Sequence, residues 1–224
     1  MAEGAGLFPP GWLRAAGGEP ADDLELAVLL VNSYDELADP PDRLATLDWY
    51  AAVLRAVGHP EHANALGPGD LGLLRALRGG LHAAFTAATP EAAALALNPL
   101  LLTAAAVPVL VPGPDGRARL SVAPAAVGLP ALAARLPTAL AAHIARYGLT
   151  RLGSCAAHPC ACVYVDRTRA GHRRYCCDLC NDRAAAAAYR NRHQSIGKKR
   201  AGADRRLPGQ AAAQHPVPGS ATTT

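Results

Sequence analysis

The sequence has few aromatic side chains, a single methionine and only two lysines. Its 224 residues include two Trp, six Tyr and two Phe, although half of all residues are hydrophobic. A chain with this hydrophobic fraction is expected to fold, and its core must be built mainly from Leu, Val and Ala. At this length we expect one core of roughly 100–150 residues plus a small additional module.

Segments for export or membrane insertion are also missing. The first residues, MAEGAGLFPPGW, contain no basic stretch followed by an apolar one, so no secretory signal is expected. The most apolar run, residues 95–111, is short and is interrupted by Pro99 and Pro108, which favours a place in the core over a membrane span. We therefore expect a cytoplasmic, nucleoid-associated protein. In that compartment clustered cysteines are more often metal ligands than disulfides.

No catalytic constellation is recognisable. The sequence contains no P-loop, no GxGxxG after a predicted strand and no HExxH. The histidines of the first 150 residues are scattered, and each is expected to be a surface or hydrogen-bonded side chain: His59, His62, His82 and His143. The sequence predicts that the chain is not an enzyme.

Charge is divided unevenly along the chain. Residues 1–150 hold 9 basic and 14 acidic side chains, whereas residues 151–206 hold 13 basic and 4 acidic ones. All six cysteines lie in that second segment. Two modules with different partners are the simplest explanation. We predict a flexible segment 1–22, a mainly helical domain 23–148, a metal-stabilised module 151–194, and a disordered tail 195–224 that is basic and then rich in Pro, Ala and Thr.

The first module is predicted to be mainly α with one β-hairpin. Apolar residues recur at helical spacing, with Asp42, Thr89 and Pro90 at predicted helix starts. Short β-branched runs on either side of GPDG predict the hairpin. The predicted helices are 23–39, 42–58, 69–88, one from 90 and 129–148 with a kink at Pro137, and the predicted strands are 107–111 and 117–122.

Four of the six cysteines form two pairs in the sequence, Cys155-x4-Cys160 and Cys176-x3-Cys180, with fifteen residues between the pairs. Zinc prefers four such ligands in a tetrahedron, and two short-range pairs supply them at little cost in loop entropy. Between the pairs, Val163 and Val165 alternate, and a turn near Ala170-Gly171 leads back to Tyr175. This pattern predicts a hairpin that joins two zinc knuckles, too small to fold without the metal.

Other interpretations of the cysteines are weaker. CDLC at 177–180 has the spacing of a redox pair and precedes a helix, but no βαβ pattern surrounds it. A zinc deaminase would need PCxxC after an HxE, but Pro159-Cys160 is followed by Ala161-Cys162. A single structural zinc ion is the favoured prediction. Cys162 and Cys177 are spare sulfurs, and His158 or His172 could replace one of the four ligands.

These residues resemble the CGNR zinc finger, a family with an F-x-D-x-S/T element, an R-R-W/Y-C step and a final C-G-N-R followed by a basic helix. Asp166 and Thr168 match the first element, residues 173–176 match the second, and Cys180 and Arg183 match the third. Asn181 and Asp182 replace the glycine and asparagine of the motif. The missing glycine leaves the geometry of this turn open, although asparagine is the next best residue at positive φ.

The N-terminal module resembles the ABATE domain that is usually fused to that finger. The similarity rests on Asn32-Ser33 at the end of an apolar helix, on Trp49 in the next helix and on Leu97-Asn98. The resemblance implies a stress-induced transcription regulator.

The segment after Cys180 is strongly basic, and a helix with a basic extension suits contacts with DNA phosphates. We predict a regulator that binds double-stranded DNA, in which the N-terminal domain dimerises the chain or senses a signal of unknown chemistry. The alternative is a redox- or metal-sensing or protein-interaction adaptor that loses zinc when Cys162 or Cys177 is oxidised. The predicted metal ligands are Cys155, Cys160, Cys176 and Cys180, and the predicted DNA-binding residues are Arg173, Arg174, Arg183, Arg190, Arg192, Lys198, Lys199 and Arg200.

Overall fold

The chain is mainly helical, and the computed structural model describes residues 21–113, 115–123 and 126–203. The contacts between residues divide the chain into two compact units, one ending at Arg183 and the other beginning at Ala184. The elements in chain order are α1 (Asp23–Val31), a short 3-10 helix (Arg43–Ala45), α2 (Asp48–Ala56), α3 (Pro60–Ala65), α4 (Asp70–Phe85), α5 (Pro90–Thr103), β1 (Val107–Pro112), β2 (Ala118–Ala123), α6 (Leu129–Tyr147), β3 (Leu152–Ser154), β4 (Val163–Val165) and α7 (Asp178–Ala203). This architecture confirms the predicted fold class.

Helix α1 is the most buried helix of the first unit. It begins with a capping box, in which the Asp22 carboxylate accepts the Glu25 N–H at 2.8 Å and the Glu25 carboxylate accepts the Asp22 N–H at 3.1 Å. Its apolar residues point in nearly every direction, as expected of a helix with packed neighbours on several sides. Six of its nine residues are buried: Leu24, Leu26, Ala27, Leu29, Leu30 and Val31.

One hydrophobic core joins the helices to the second hairpin. Buried leucines of α1, α4 and α6 lie in it together with Trp49 and Tyr50 of α2. Val163 and Val165 of β4 belong to the same core. Strand β4 is therefore packed into the helical part of the chain.

Most predicted elements of the helical part are confirmed. The Thr89 hydroxyl accepts the Ala92 N–H at 3.2 Å at the start of α5, as its N-cap position predicts. Strands β1 and β2 pair antiparallel, with Leu110 opposite Leu120. Pro137 lies inside α6, and the kink expected there stays a prediction.

Three helical expectations need correction. Helix α1 ends at Val31, eight residues before the predicted end at residue 39, because Asn32 and Ser33 leave the helix to make hydrogen bonds with Val163 and Arg78. Asp42 caps only the short 3-10 helix by accepting the Leu44 N–H at 3.0 Å, and α2 begins later. The short helix α3 was not predicted.

The predicted position of the second hairpin is also wrong. Strand β4 pairs with β3, with Ser154 opposite Val163, and the connection between the two strands carries Cys155 and Cys160. The segment after Val165 forms no strand, although Gly171 does adopt a positive φ of 67° in the predicted turn region. Asp166 holds this segment by hydrogen bonds.

Two predicted segments lie outside the described residues. They are residues 1–20 of the predicted flexible segment 1–22, and the predicted tail from residue 204 onward. None of the helices in the described part is both long enough and apolar enough to cross a membrane. The predicted domain boundaries stay a prediction.

Candidate metal centre and basic helix

Four cysteines meet at the junction of β3, β4 and the start of α7. Cys155 directly follows β3 and Cys160 lies three residues before β4, whereas Cys176 and Cys180 flank the first residues of α7. All four side chains are buried, and their sulfur atoms lie within 4.8 Å of one another. These are the four cysteines that the sequence spacing predicts as ligands.

The spacing of the sulfurs fits a tetrahedral zinc ion. Cys176 Sγ lies 3.7 Å from both Cys160 Sγ and Cys180 Sγ. Four thiolates at a Zn–S distance of about 2.3 Å around a tetrahedron are about 3.8 Å apart. The cluster therefore fits one structural zinc ion, with no position left open for a substrate.

Backbone hydrogen bonds hold the first cysteine pair. The Cys155 N–H donates to the Cys162 carbonyl at 2.9 Å and the Cys160 N–H donates to the Ala157 carbonyl at 2.9 Å, which closes a tight loop. The Cys176 N–H donates to Cys155 Sγ at 3.5 Å. A sulfur that accepts an N–H bond is stabilised as a thiolate, the form that binds zinc.

Burial and neighbouring groups change the pKa of the clustered cysteine thiols. Burial raises the pKa of the Cys160 thiol, and burial raises the pKa of Cys180 to about 11. Burial also opposes ionisation of Cys155, but N–H groups of Cys176 and Ala157 hold its pKa below the ordinary value. Adjacent thiolates repel each other, so a cation is needed before all four can ionise. Zinc binding is therefore expected to release protons.

The spare cysteines differ in environment. Cys162 is buried, and its sulfur groups with Cys160 and an oxygen of Asp35 within 4.8 Å. Cys177 is half-buried, and its sulfur lies 3.8 Å from that of Cys176. His158 and His172 are exposed and do not belong to the four-sulfur cluster.

Asp166 organises the segment between the two cysteine pairs. One carboxylate oxygen accepts the Thr168 N–H at 2.8 Å and its hydroxyl at 2.6 Å, and the other accepts the Arg173 N–H at 2.8 Å. Chiefly because of the Thr168 hydroxyl and the Arg173 N–H, the pKa of Asp166 is lowered to about 2. The predicted F-x-D-x-S/T element is thus a turn built around one ionised carboxylate.

The two predicted DNA-binding arginines of the finger are both exposed, but they differ in their hydrogen bonds. The Arg173 guanidinium donates to the carbonyls of Tyr175, Val165 and Cys176 and lies 5.1 Å from the centre of the Tyr164 ring. Arg174 is exposed and lies over the Tyr175 ring at 5.9 Å. Arg173 therefore helps to hold the finger together, whichever ligand it contacts.

Asn32 joins the finger to the helical part, a role that sequence reasoning missed. Its amide nitrogen donates to the Val163 carbonyl at 2.9 Å, and its amide oxygen accepts the Val163 N–H at 2.8 Å. Both residues are buried. At the other end of α1, Arg167 forms salt bridges with Asp22 at 2.6 Å and Glu25 at 3.4 Å. The only sign of this role in the sequence was the resemblance to the ABATE domain, which includes Asn32.

A second group of potential ligands does not suit a cation. His59, Glu61 and His62 offer donor atoms within 4.8 Å of one another. Both ring nitrogens of His62 face N–H donors, the Gly128 N–H at 3.1 Å and the Arg135 guanidinium at 3.0 Å. Both ring nitrogens are thus occupied by protein groups, and burial lowers the pKa of His62. This confirms the expectation that these histidines are hydrogen-bonded side chains.

Helix α7 begins without the left-handed turn that a glycine would favour. The Asn181 N–H donates to the Cys177 carbonyl at 3.2 Å, so Asn181 continues a helical turn. Asn181 therefore does not adopt a positive φ, and CNDR is compatible with the helix start. Further along α7, Arg183, Arg190 and Arg192 are exposed. Residues 198–200 lie within α7, and their side chains lie outside the described residues.

Comparisons with known families agree with this site. The CGNR zinc finger model matches residues 151–193. The ABATE model, described as "Putative stress-induced transcription regulator", matches residues 24–154, which is more than half of the chain. A comparison with curated proteins finds no match. The chain therefore belongs to the ABATE family, and it carries a CGNR zinc finger.

Proposed function

We propose that this regulator binds double-stranded DNA directly, through the basic side chains of α7 and the finger. In this proposal Cys155, Cys160, Cys176 and Cys180 hold one zinc ion in a structural role, and the chain is not an enzyme. Arg173, Arg174, Arg183, Arg190, Arg192, Lys198, Lys199 and Arg200 contribute positive charge toward the phosphates.

The main support for this proposal is the uniformly positive charge of α7 from Arg183 onward. Between residues 183 and 203 the helix has six basic residues and no acidic one. Residues 183, 190 and 192 are exposed. A helical segment with only positive charge attracts a polyanion, and its affinity is strengthened by the release of counterions.

The length of α7 also suits duplex DNA. Its basic part, residues 183–203, extends about 31 Å at a rise of 1.5 Å per residue. One turn of B-DNA measures about 34 Å, so the basic part of the helix can follow phosphates over a large part of one turn. The run Ala184–Ala188 favours a continuous helix because alanine has the highest helix propensity.

Zinc contributes by fixing the first turn of α7. Cys176 lies two residues before α7 and Cys180 lies in its first turn, whereas Cys155 and Cys160 belong to the connection between β3 and β4. One ion bound by all four would join the helix start to the hairpin. Loss of zinc is therefore expected to weaken DNA binding without changing any basic residue.

The test is a salt series with the zinc-loaded full chain and a short duplex of random sequence, followed by fluorescence anisotropy. If the six basic residues of α7 from Arg183 onward each neutralise one phosphate, log K falls with log salt with a slope of about −5. Arg183→Ala/Arg190→Ala should make this slope shallower by about two.

The matched control is Arg117→Ala/Arg119→Ala, which removes the same charge from two exposed residues at the β1–β2 hairpin. Its slope should equal that of the unmodified chain. No binding at low salt, or equal slopes for both double variants, contradicts the proposal. The homodimer through the N-terminal domain stays a prediction, which sedimentation of the full chain would check.

A further inference from the structure

Cys177 is a fifth thiol at the edge of the cysteine cluster. It is half-buried, whereas the other five cysteines are buried. Its sulfur lies 3.8 Å from Cys176 Sγ. A small oxidant can therefore reach this thiol more easily than the others, and a second sulfur is close enough to react with the product.

The backbone selects Cys180 as the reaction partner. The hydrogen bond from the Asn181 N–H to the Cys177 carbonyl at 3.2 Å shows that these residues form a helical turn. In such a turn Cα atoms three residues apart are separated by about 5 Å. This separation falls in the disulfide range of about 4.4–6.8 Å.

Cys176 is a poorer partner although its sulfur is near. The peptide bond between Cys176 and Cys177 is trans. Adjacent Cα atoms across a trans peptide are about 3.8 Å apart, below the disulfide range of about 4.4–6.8 Å.

We propose that Cys177 is a site of reversible oxidation by hydroperoxides, and that its product is a disulfide with Cys180. This inference rests on the proposed role of Cys180 as one of the four zinc ligands, and it is independent of DNA binding. The disulfide removes one sulfur from the cluster, so the zinc affinity falls.

The reaction balances with the hydroperoxide as the oxidant. The Cys177 thiolate attacks one peroxide oxygen, the O–O bond breaks, and a sulfenic acid forms while the other oxygen leaves as hydroxide or alkoxide and takes up a proton. The Cys180 thiolate then attacks the Cys177 sulfur, the S–S bond forms, and hydroxide leaves and is protonated to water. Two thiols lose two electrons, and the hydroperoxide gains them.

The zinc ion and the proposed disulfide connect different parts of the finger. A zinc ion bound by all four cysteines connects α7 to the β3–β4 connection. A Cys177–Cys180 disulfide closes only one turn of α7 and constrains neither strand. Oxidation therefore releases the start of the helix from the hairpin.

The experiment treats the zinc-loaded full chain with stoichiometric hydrogen peroxide. Zinc release is followed with a coloured chelator, and disulfides are identified by mass spectrometry of non-reduced peptides. The unmodified chain should release its zinc and yield the Cys177–Cys180 peptide. Dithiothreitol followed by added zinc should restore the starting state.

Two variants make the test specific. Cys177→Ser should start with the same zinc content and release it about tenfold more slowly, because the intramolecular partner is missing. Cys162→Ala removes the other spare thiol, which is only 3% exposed, and should release zinc at the unmodified rate. Zinc release from Cys177→Ser at the unmodified rate, or a disulfide that joins other cysteines, overturns the proposal. Loss of DNA binding alone would not affect these readouts.

Discussion

Replacing Asn32 by alanine tests whether the finger and the helical part form one folding unit. The substitution removes both hydrogen bonds between the Asn32 amide and the Val163 backbone, at 2.9 and 2.8 Å. Asn32 is 2% exposed and Val163 is fully buried, so water cannot readily replace the amide. The N–H and the carbonyl of Val163 are then left without partners.

The size of the effect follows from these two groups. Each buried polar group without a partner costs about 1–3 kcal/mol, so the free energy of unfolding should fall by roughly 2–6 kcal/mol. Total stabilities are typically about 5–15 kcal/mol. The substitution should therefore remove a large share of the stability of the chain.

The assay is urea unfolding of the zinc-loaded full chain, followed by circular dichroism and by zinc release. Asn64→Ala is the matched control, because Asn64 is exposed and only accepts a hydrogen bond from Arg55 at 3.0 Å. The control should change stability by less than about 0.5 kcal/mol. An equally small effect for Asn32→Ala would refute the reasoning, as would zinc loss in a transition separate from helix unfolding.

Two further predictions concern the finger. Asp166→Asn should lower the free energy of unfolding by about 1–3 kcal/mol, because the amide cannot accept all three hydrogen bonds. Since the pKa of Asp166 is about 2 in the folded chain and 3.8 ordinarily, its stabilisation is present above pH 3.8 and lost as pH falls toward 2. Acid unfolding of the variant should lack this pH dependence. Zinc removal by a strong chelator should change the fluorescence of Trp49 (measured with Trp12→Phe), because Trp49 shares its core with Val163 and Val165. Unchanged fluorescence after complete zinc removal would contradict a shared core.

The parts of the structure that depend on local signals could be predicted from sequence. The four clustered cysteines are two short-range pairs, and the start of α5 follows from Thr89 and Pro90 next to each other. The β1–β2 hairpin follows from GPDG between two apolar runs. In each case the residues that determine the structure lie within a few positions of one another.

The parts that depend on distant partners could not be predicted. Periodicity extends the first helix beyond Val31, but Asn32 and Ser33 leave it to bond Val163 and Arg78. Val163 and Val165 alternate as a strand should, yet alternation does not say that β3 is their partner.

The bond between Asn32 and Val163 also bears on the order of events during synthesis. The two residues are 131 positions apart, and α1 leaves the ribosome long before β4. Contacts of such sequence separation form late, because a long loop must close first. Until β4 arrives, the end of α1 lacks its polar partner and part of its apolar covering. The helical part is therefore expected to complete its folding only after the finger has been translated.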